Sequence, residues 1–320
     1  MEMTTNKNTR IAIAGIGGIG GYIGGKLAHY YSDKEDVEIV FIARGEMADA
    51  IDQNGLNLVS KGVTYKCAPA LTSDDIQQIG KVDLFIICTK NFSVAAILEK
   101  HASCLTVNTI VITTQNTVNG KETVTPHLPD GATLMEGSIY IASNIVAPGK
   151  VDHIGGPAKL FFGSDGQADS KGNKIAKIFT DAGIDATYTT DIKPVLWKKF
   201  MFVSPAAIVT AIFQTTFLGI TENSEAKQLF TGLMSELMQL AKAKKIAVDE
   251  NTIAININLL SNFKGEVKSS FQLDLENNKP AEIDSLVKYV IDEAKLFKVS
   301  TPYFDDSLAR LIDQYDSITA

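Results

Sequence analysis

The sequence predicts an α/β chain: a doubly wound sheet over residues 1–190, followed by an all-helical part over residues 191–320. Three observations carry this expectation. Short apolar runs at 11–14, 37–43, 82–88 and 109–113 alternate with helical patterns such as 93–100, the rhythm of repeated βαβ units with helices on both faces of a parallel sheet. The first run leads directly into Gly15-Ile16-Gly17-Gly18-Ile19-Gly20, with a helical segment over 19–31 behind it. After about Asp191, helical periodicity dominates, at 195–203, 224–244, 252–263, 283–297 and 303–315.

The glycine run between a strand and a helix makes the first part Rossmann-type. Gly15 allows the tight turn, Gly17 lets a pyrophosphate approach the backbone, and Gly20 lets helix and strand pack closely. The helix N-terminus then offers N–H groups and the positive end of its dipole. At the end of the second strand, where an NAD site usually carries an acidic residue for the ribose hydroxyls, stands Arg44, followed by Gly45. A guanidinium pairs bidentately with a 2′-phosphate, so the expected cofactor is NADPH.

Further along, 55–60 and 63–68 form two extended segments around Lys61-Gly62, and strands are expected at 133–141, 150–154 and 159–163. Pro148-Gly149 marks a turn between them. A helix over 170–182 and a strand over 186–189 complete this part, with the seam near 188–192. In the helical part, Asp249 reads as a helix start and Thr301-Pro302 as an N-cap with proline at the first helical position.

At 320 residues the chain has room for about two domains. A net charge of −7 argues against a general nucleic-acid binder. The three cysteines (Cys67, Cys88, Cys104) include no CxxC, so a reducing cytoplasm is the simplest compartment. The four histidines (His29, His101, His127, His153) show no metal-ligand spacing, and no metal is expected. Residues 1–10 are polar, without the apolar region of a secretory leader. The stretch 200–221 carries no charge but is interrupted by Ser204, Pro205 and Gln214 and preceded by Lys198 and Lys199. A buried helix pair, bent or restarted at Pro205, explains it better than a membrane span.

Five places could carry chemistry. Lys90 follows the strand 84–89, and carboxyl ends of parallel strands face the cofactor crevice; the alternative is a surface lysine. Asn116 lies in the uncharged run 113–120 after the next strand, where an amide can bond to substrate and cofactor; it could equally serve the turn. Lys199 borders the long apolar stretch, where apolar walls lower a lysine's pKa towards general acid–base use; otherwise it is a solvated helix lysine. Glu282 opens a helix, either as part of a site or as a first-turn acid matched to the dipole. Ser269 and Ser270 otherwise read as helix-end serines.

The ordered set of motifs resembles the ketopantoate reductase (2-dehydropantoate 2-reductase) family over nearly the whole chain. Gly15-x-Gly17-x-x-Gly20 and Ala43-Arg44-Gly45 resemble its NADPH motif, Cys88-Thr89-Lys90 its strand-end lysine, and Gln115-Asn116 its cofactor loop. The stretch 147–155, with Pro148-Gly149 and His153, resembles its hairpin. Trp197-Lys198-Lys199 resembles its Trp-x-Lys, and Ser269-Ser270 to Asp274 with Glu282-Ile283-Asp284 its C-terminal block. The resemblance implies hydride transfer from NADPH to the ketone of a small 2-oxo acid, giving pantoate from ketopantoate in pantothenate and coenzyme A biosynthesis. It implies that Lys199 donates the proton, that Glu282 positions Lys199 and bonds the substrate hydroxyl, and that Asn116 and Lys90 arrange substrate and cofactor. Ser270 would hold the carboxylate. Gly15, Ile16, Gly17, Gly18, Ile19, Gly20 and Arg44, with Lys90, Asn116 and Glu282, would contact the cofactor.

One departure matters. The family's pattern after the lysine is Lys-x-x-x-Asn-x-x-x-Asn, and here Val203 and Ala207 stand at the two amide positions. Ser204 is the neighbour able to compensate in binding substrate. Two missing amides weaken a site built for a polar substrate, which opens an alternative: a different 2-oxo acid or a bulkier, less polar ketone. A non-catalytic NADPH-binding protein is the third reading. The helical part could supply a homodimer surface; a monomer is equally open.

Overall fold

The computed structural model describes residues 8–166 and 168–315. Most of the polar N-terminal stretch noted above lies outside the described residues. The chain divides into two compact units, Met1–Gln115 with Asn119–Ile192, and Asn116–Val118 with Lys193–Ala320.

Among the described residues the first unit holds ten strands: β1 (Thr9–Ala14), β2 (Val37–Ile42), β3 (Leu56–Ser60), β4 (Val63–Cys67), β5 (Leu71–Thr72), β6 (Leu84–Ile87), β7 (Ile110–Thr113), β8 (Thr133–Ala147), β9 (Lys150–Gly163) and β10 (Asp185–Thr189). They form one sheet in the order β4-β3-β9-β8-β7-β6-β1-β2-β5, with β10 on β9. From β1 the chain passes to β2, makes the β3–β4 hairpin at the far edge, returns to β5 beside β2, then crosses to the other side of β1 for β6, β7 and β8. That reversal places a switch point between β1 and β6, where ligands of open α/β sheets bind. Among the described residues six α-helices accompany the sheet: α1 (Gly18–Tyr31), α2 (Gly45–Asn54), α3 (Ile76–Ile79), α4 (Val94–Lys100), α5 (Gly120–Val124) and α6 (Ser170–Asp181).

The apolar runs sort residue by residue onto two cores. Ile11, Ile13, Ile39, Phe41, Leu84, Ile86 and Ile112 face one layer, with Leu27 of α1 and Phe179 of α6. Ala12, Ala14, Val40, Ile42, Phe85, Ile87 and Val111 face the other, with Val94 and Leu98 of α4. Side chains alternate along a strand, so a strand covered on both faces must be apolar throughout. This is why the runs carry no polar–apolar alternation.

Three expectations about this sheet need correction. It is not parallel throughout: β3–β4 and β8–β9 are antiparallel. The segments expected at 150–154 and 159–163 are one strand, β9, and the strand expected to end at 141 runs to Ala147. Gly155-Gly156 looks like a break but makes a jog within the sheet. Gly156 and Ala158 take φ values of 80° and 58°, and the β8–β9 register shifts three times, the signature of bulges. His153 fixes the jog. Its Nε2 lies 2.9 Å from the Gly155 carbonyl and 3.1 Å from that of Gly156, so that nitrogen carries the proton and Nδ1 accepts from Ser60 Oγ at 2.8 Å. The hairpin at Lys61-Gly62 forms as read: Ser60 pairs with Val63, and both turn residues have positive φ, the two-residue turn that matches strand twist.

The second unit is helical: α7 (Lys193–Phe213), α8 (Phe217–Glu222), α9 (Ser224–Ala243), α10 (Thr252–Ser261), α11 (Ser270–Glu276), a π-helical turn (Asp284–Lys288) running into α12 (Tyr289–Leu296), and α13 (Pro302–Gln314). The helix start read at Asp249 falls at Thr252, because the Asp249 carboxylate accepts from Asn251 N in a turn that precedes the helix. Pro205 does not restart α7, which runs through it. An interior proline costs about 3 kcal/mol. Trp197, Phe200, Met201, Ile208 and Val209 on the same helix are buried, each large side chain contributing about 1.5–3 kcal/mol, so packing outweighs the lost bond. The break falls instead at Gln214, with φ of 49°, and Thr216, whose hydroxyl caps α8 by accepting from Gly219 N at 3.0 Å. Among the described residues α7 is the helix long and apolar enough to cross a membrane, but 72% of its most apolar window is buried within the protein, as for a core helix that is apolar all round.

Thr301 and Pro302 begin α13 as read, but the cap comes from elsewhere. Buried Glu236 of α9 accepts from Tyr303 N at 2.7 Å and from Phe304 N at 3.1 Å. Glu236→Ala leaves two first-turn N–H groups without partners, so a loss of about 1–3 kcal/mol in unfolding free energy is expected by urea titration; an unchanged midpoint contradicts this capping role.

Candidate active site

In the first unit, the end of β1 builds a cradle from glycine. Gly15 takes φ of 93°, and a Cβ there would sit 2.6 Å from the Thr89 methyl just past β6. A Cβ at Gly20 would sit 2.0 Å from the Gly15 carbonyl oxygen, and one at Gly18 would sit 1.8 Å from that of Ser143. At Gly17 nothing lies within 4 Å of the corresponding position. The turn is therefore pressed on its inner side and open at Gly17. Helix α1 starts at Gly18 with no side-chain cap and no acidic residue in its first turn, so its N–H groups and dipole suit an anion. Ile16 is buried and Ile19 packs against the core. Arg44 is exposed at the head of α2. Ala14 pairs with Ile42, so Arg44 lies two residues beyond the same strand edge that Gly15 follows. This donor set fits a dinucleotide: open glycine backbone at a helix N-terminus for the pyrophosphate, and a guanidinium for a further phosphate.

The end of β6 is held by a residue that the sequence marks only as part of the Gln115-Asn116 pair. Buried Gln115 donates from Nε2 to the carbonyls of Ile87 and Thr89, each at 3.0 Å. Lys90 follows as the residue before a 3₁₀ turn (Asn91–Ser93) and is half-buried. Between them, burial pushes the Cys88 thiol up to about 12, so it stays neutral and unreactive.

In the second unit, Asn116, Lys199 and Glu282 come together. Lys199, half-buried on α7, donates from Nζ to Asn116 Oδ1 at 2.6 Å. Asn116 is separated from Lys199 by 83 residues of sequence, so no local pattern links them. Burial lowers the Lys199 ammonium to about 8, and the Glu282 carboxylate opposes that fall. A lysine held near neutrality by apolar surroundings, with one amide and one carboxylate partner, can both give and take a proton at physiological pH.

The three serines stand in different settings. Ser204 is fully buried, and its hydroxyl donates to the Leu286 carbonyl at 2.7 Å; its one proton is committed to the protein's own backbone. Ser270 is exposed as the first residue of α11. Its neighbour Ser269 is the cap, accepting from Gln272 N at 3.1 Å and pairing with Thr210 Oγ1 at 2.8 Å. Val203 and Ala207 follow Lys199 at helical spacing on α7. Val203 is half-buried against the helical core and Ala207 is buried.

The first unit carries a glycine turn suited to a dinucleotide's phosphates, and the second carries a near-neutral lysine with an amide and a carboxylate beside it; each feature suits oxidoreductase chemistry. Comparison with known proteins agrees. Residues 11–167 match the family described as ketopantoate reductase PanE/ApbA, and residues 191–316 match its C-terminal counterpart. A 2-dehydropantoate 2-reductase from Mesorhizobium japonicum is 28% identical over 323 residues, covering 94% of this chain and 96% of that protein. Among solved structures, a PanE/ApbA family ketopantoate reductase from Ralstonia eutropha superposes with a TM-score of 0.87 at 23% identity, covering 98% of this chain and all of that one. D-mandelate dehydrogenase with NADH and anilino(oxo)acetate superposes at 0.83 with 21% identity, covering 98% and 100%. The chain belongs to the ketopantoate reductase family. It is an NAD(P)H-dependent oxidoreductase with a Rossmann-type sheet unit and a helical unit.

Proposed function

We propose that the protein reduces 2-dehydropantoate to pantoate with NADPH. The observation that carries this reading is the Lys199–Asn116 bond with Glu282 beside it. NADPH, when bound, supplies the hydride. Gly15 to Gly20 hold its pyrophosphate, and Arg44 selects its 2′-phosphate over the free ribose of NADH. The substrate carbonyl then needs a proton on oxygen as its carbon is reduced. Lys199 Nζ donates that proton and stabilises the negative charge developing there. Asn116 fixes the ammonium's direction, and Glu282 keeps it charged and accepts from the new hydroxyl. Lys90 and Ser270 orient cofactor and substrate carboxylate. The test is NADPH oxidation with 2-dehydropantoate alongside a panel of other 2-oxo acids. Robust turnover of 2-dehydropantoate supports the assignment; turnover elsewhere in the panel but not with it rejects the substrate and keeps the chemistry.

Val203 and Ala207 favour a second reading, a 2-oxo acid with a less polar side chain. Two apolar residues one and two turns beyond Lys199 offer no hydrogen bond to a substrate hydroxyl, and an unpaired polar group there is costly. An aryl or branched-alkyl 2-oxo acid outpacing 2-dehydropantoate in kcat/KM would select it.

The pH dependence follows from Lys199. Reduction needs the ammonium, so kcat for reduction is expected to fall as pH rises through about 8. Oxidation of the 2-hydroxy acid needs the neutral amine and rises through the same point. Parallel profiles in the two directions would remove Lys199 from the proton-transfer step.

A further inference from the structure

We propose that Ser204 is a positioning residue for the Lys199–Glu282 pair, acting through the carbonyl of Leu286. The inference rests on the reading of Lys199 and Glu282 given above. Ser204 lies on the helix that carries Lys199, five residues further along. Its hydroxyl reaches out of α7 to the Leu286 carbonyl at 2.7 Å. Leu286 in turn donates from its N–H to the Glu282 carbonyl at 3.0 Å, and Ser285 Oγ reaches the same carbonyl at 3.3 Å. A short chain of bonds thus runs from the proton donor's helix to the residue that bears the carboxylate.

The intervening turn gives this chain its purpose. Residues Asp284–Lys288 are π-helical, a form that holds one residue more per turn than an α-helix and is uncommon outside functional sites. Relaxing it to α-helix shifts the register by one residue, a rotation of about 100° for whatever precedes it. Glu282 precedes it by two residues, with Ile283 between. A mid-helix serine ordinarily returns its proton to a carbonyl of its own helix; Ser204 spends it on the π turn instead, within a sealed core where both partners are buried. The bond pins the turn in the register that aims Glu282 at Lys199.

The experiment is a double-mutant cycle on the full-length enzyme with NADPH and the best 2-oxo acid of the panel. Ser204→Ala is expected to lower kcat about tenfold and to move the basic limb of the kcat profile down by about half a pH unit, since Lys199 loses an aligned carboxylate. KM for NADPH stays within about twofold. In a Glu282→Gln background, Ser204→Ala adds no further loss, because the group it positions is already gone. If Ser204→Ala fails to fold, Ser204→Cys, of similar volume and weaker as a donor, is read in the same cycle. The proposal is overturned if kcat and the basic limb are unmoved while Glu282→Gln is impaired, or if the serine variant costs the same in both backgrounds, as a purely structural role would. If Lys199→Ala and Glu282→Gln both retain full turnover, the reading of the pair itself falls, and Ser204 with it.

Discussion

Replacing Lys199 by alanine is expected to lower kcat by about 10²–10⁴-fold, the usual span for removing a general acid. Affinity for NADPH should stay within about twofold of wild type, because the interactions assigned to the cofactor's phosphates come from the glycine turn and Arg44, which lie in the other unit. Arginine is a poor substitute: its guanidinium keeps its charge but does not release a proton in the accessible pH range. Steady-state kinetics combined with a fluorescence titration of NADPH separates the two parameters. Equal loss of turnover and cofactor affinity, or loss of neither, removes Lys199 from the proton-donor role.

The second large effect concerns the cradle. Gly20→Ala places a methyl carbon 2.0 Å from the Gly15 carbonyl oxygen. The obstruction is backbone, not a side-chain end that can swing aside, so the turn itself must open. Overpacking of this kind costs about 1–3 kcal/mol of stability. NADPH binding should weaken by at least about tenfold, since the turn's N–H groups no longer converge on one anion. Gly17→Ala is the contrasting variant. Its φ is −90° and its Cβ position is open, so the fold tolerates the methyl, yet the methyl projects from the backbone that a pyrophosphate would approach. Gly17→Ala should keep the wild-type Tm and lose cofactor affinity, whereas Gly20→Ala should lose both. Wild-type affinity in Gly17→Ala would move the phosphate site away from this turn.

The sheet was legible because its signals are local. Runs such as Ile11–Ala14 and Leu84–Ile87 are apolar on both faces, and the glycine turn is contiguous with a strand and a helix. The failures were places where tertiary packing overrides a local rule. Gly155-Gly156 reads as a break but makes a jog, because β8 lies alongside and His153 clasps both carbonyls. Pro205 reads as an interruption but is enclosed by a core that offsets the lost bond. The π turn at Asp284–Lys288 has no compositional mark, so 283–297 reads as a single helix. The Lys199–Asn116 bond joins residues with no sequence pattern between them: local context marks each as a candidate by itself, but nothing in the sequence pairs them. Ser204 was singled out for its polarity at the right place on α7, but its partner, a backbone carbonyl 82 residues away, leaves no trace in the sequence.

The most direct test of the central claim uses NADPH deuterated at the transferable position and follows the label into product. Hydride transfer to a 2-oxo acid predicts a 2-hydroxy acid carrying one deuterium on the carbon that bears the new hydroxyl, seen by mass spectrometry, with none arriving from deuterated water at that carbon. Cofactor oxidation without label in the hydroxy acid, or tight NADPH binding with no ketone-dependent oxidation across the panel, would contradict the account.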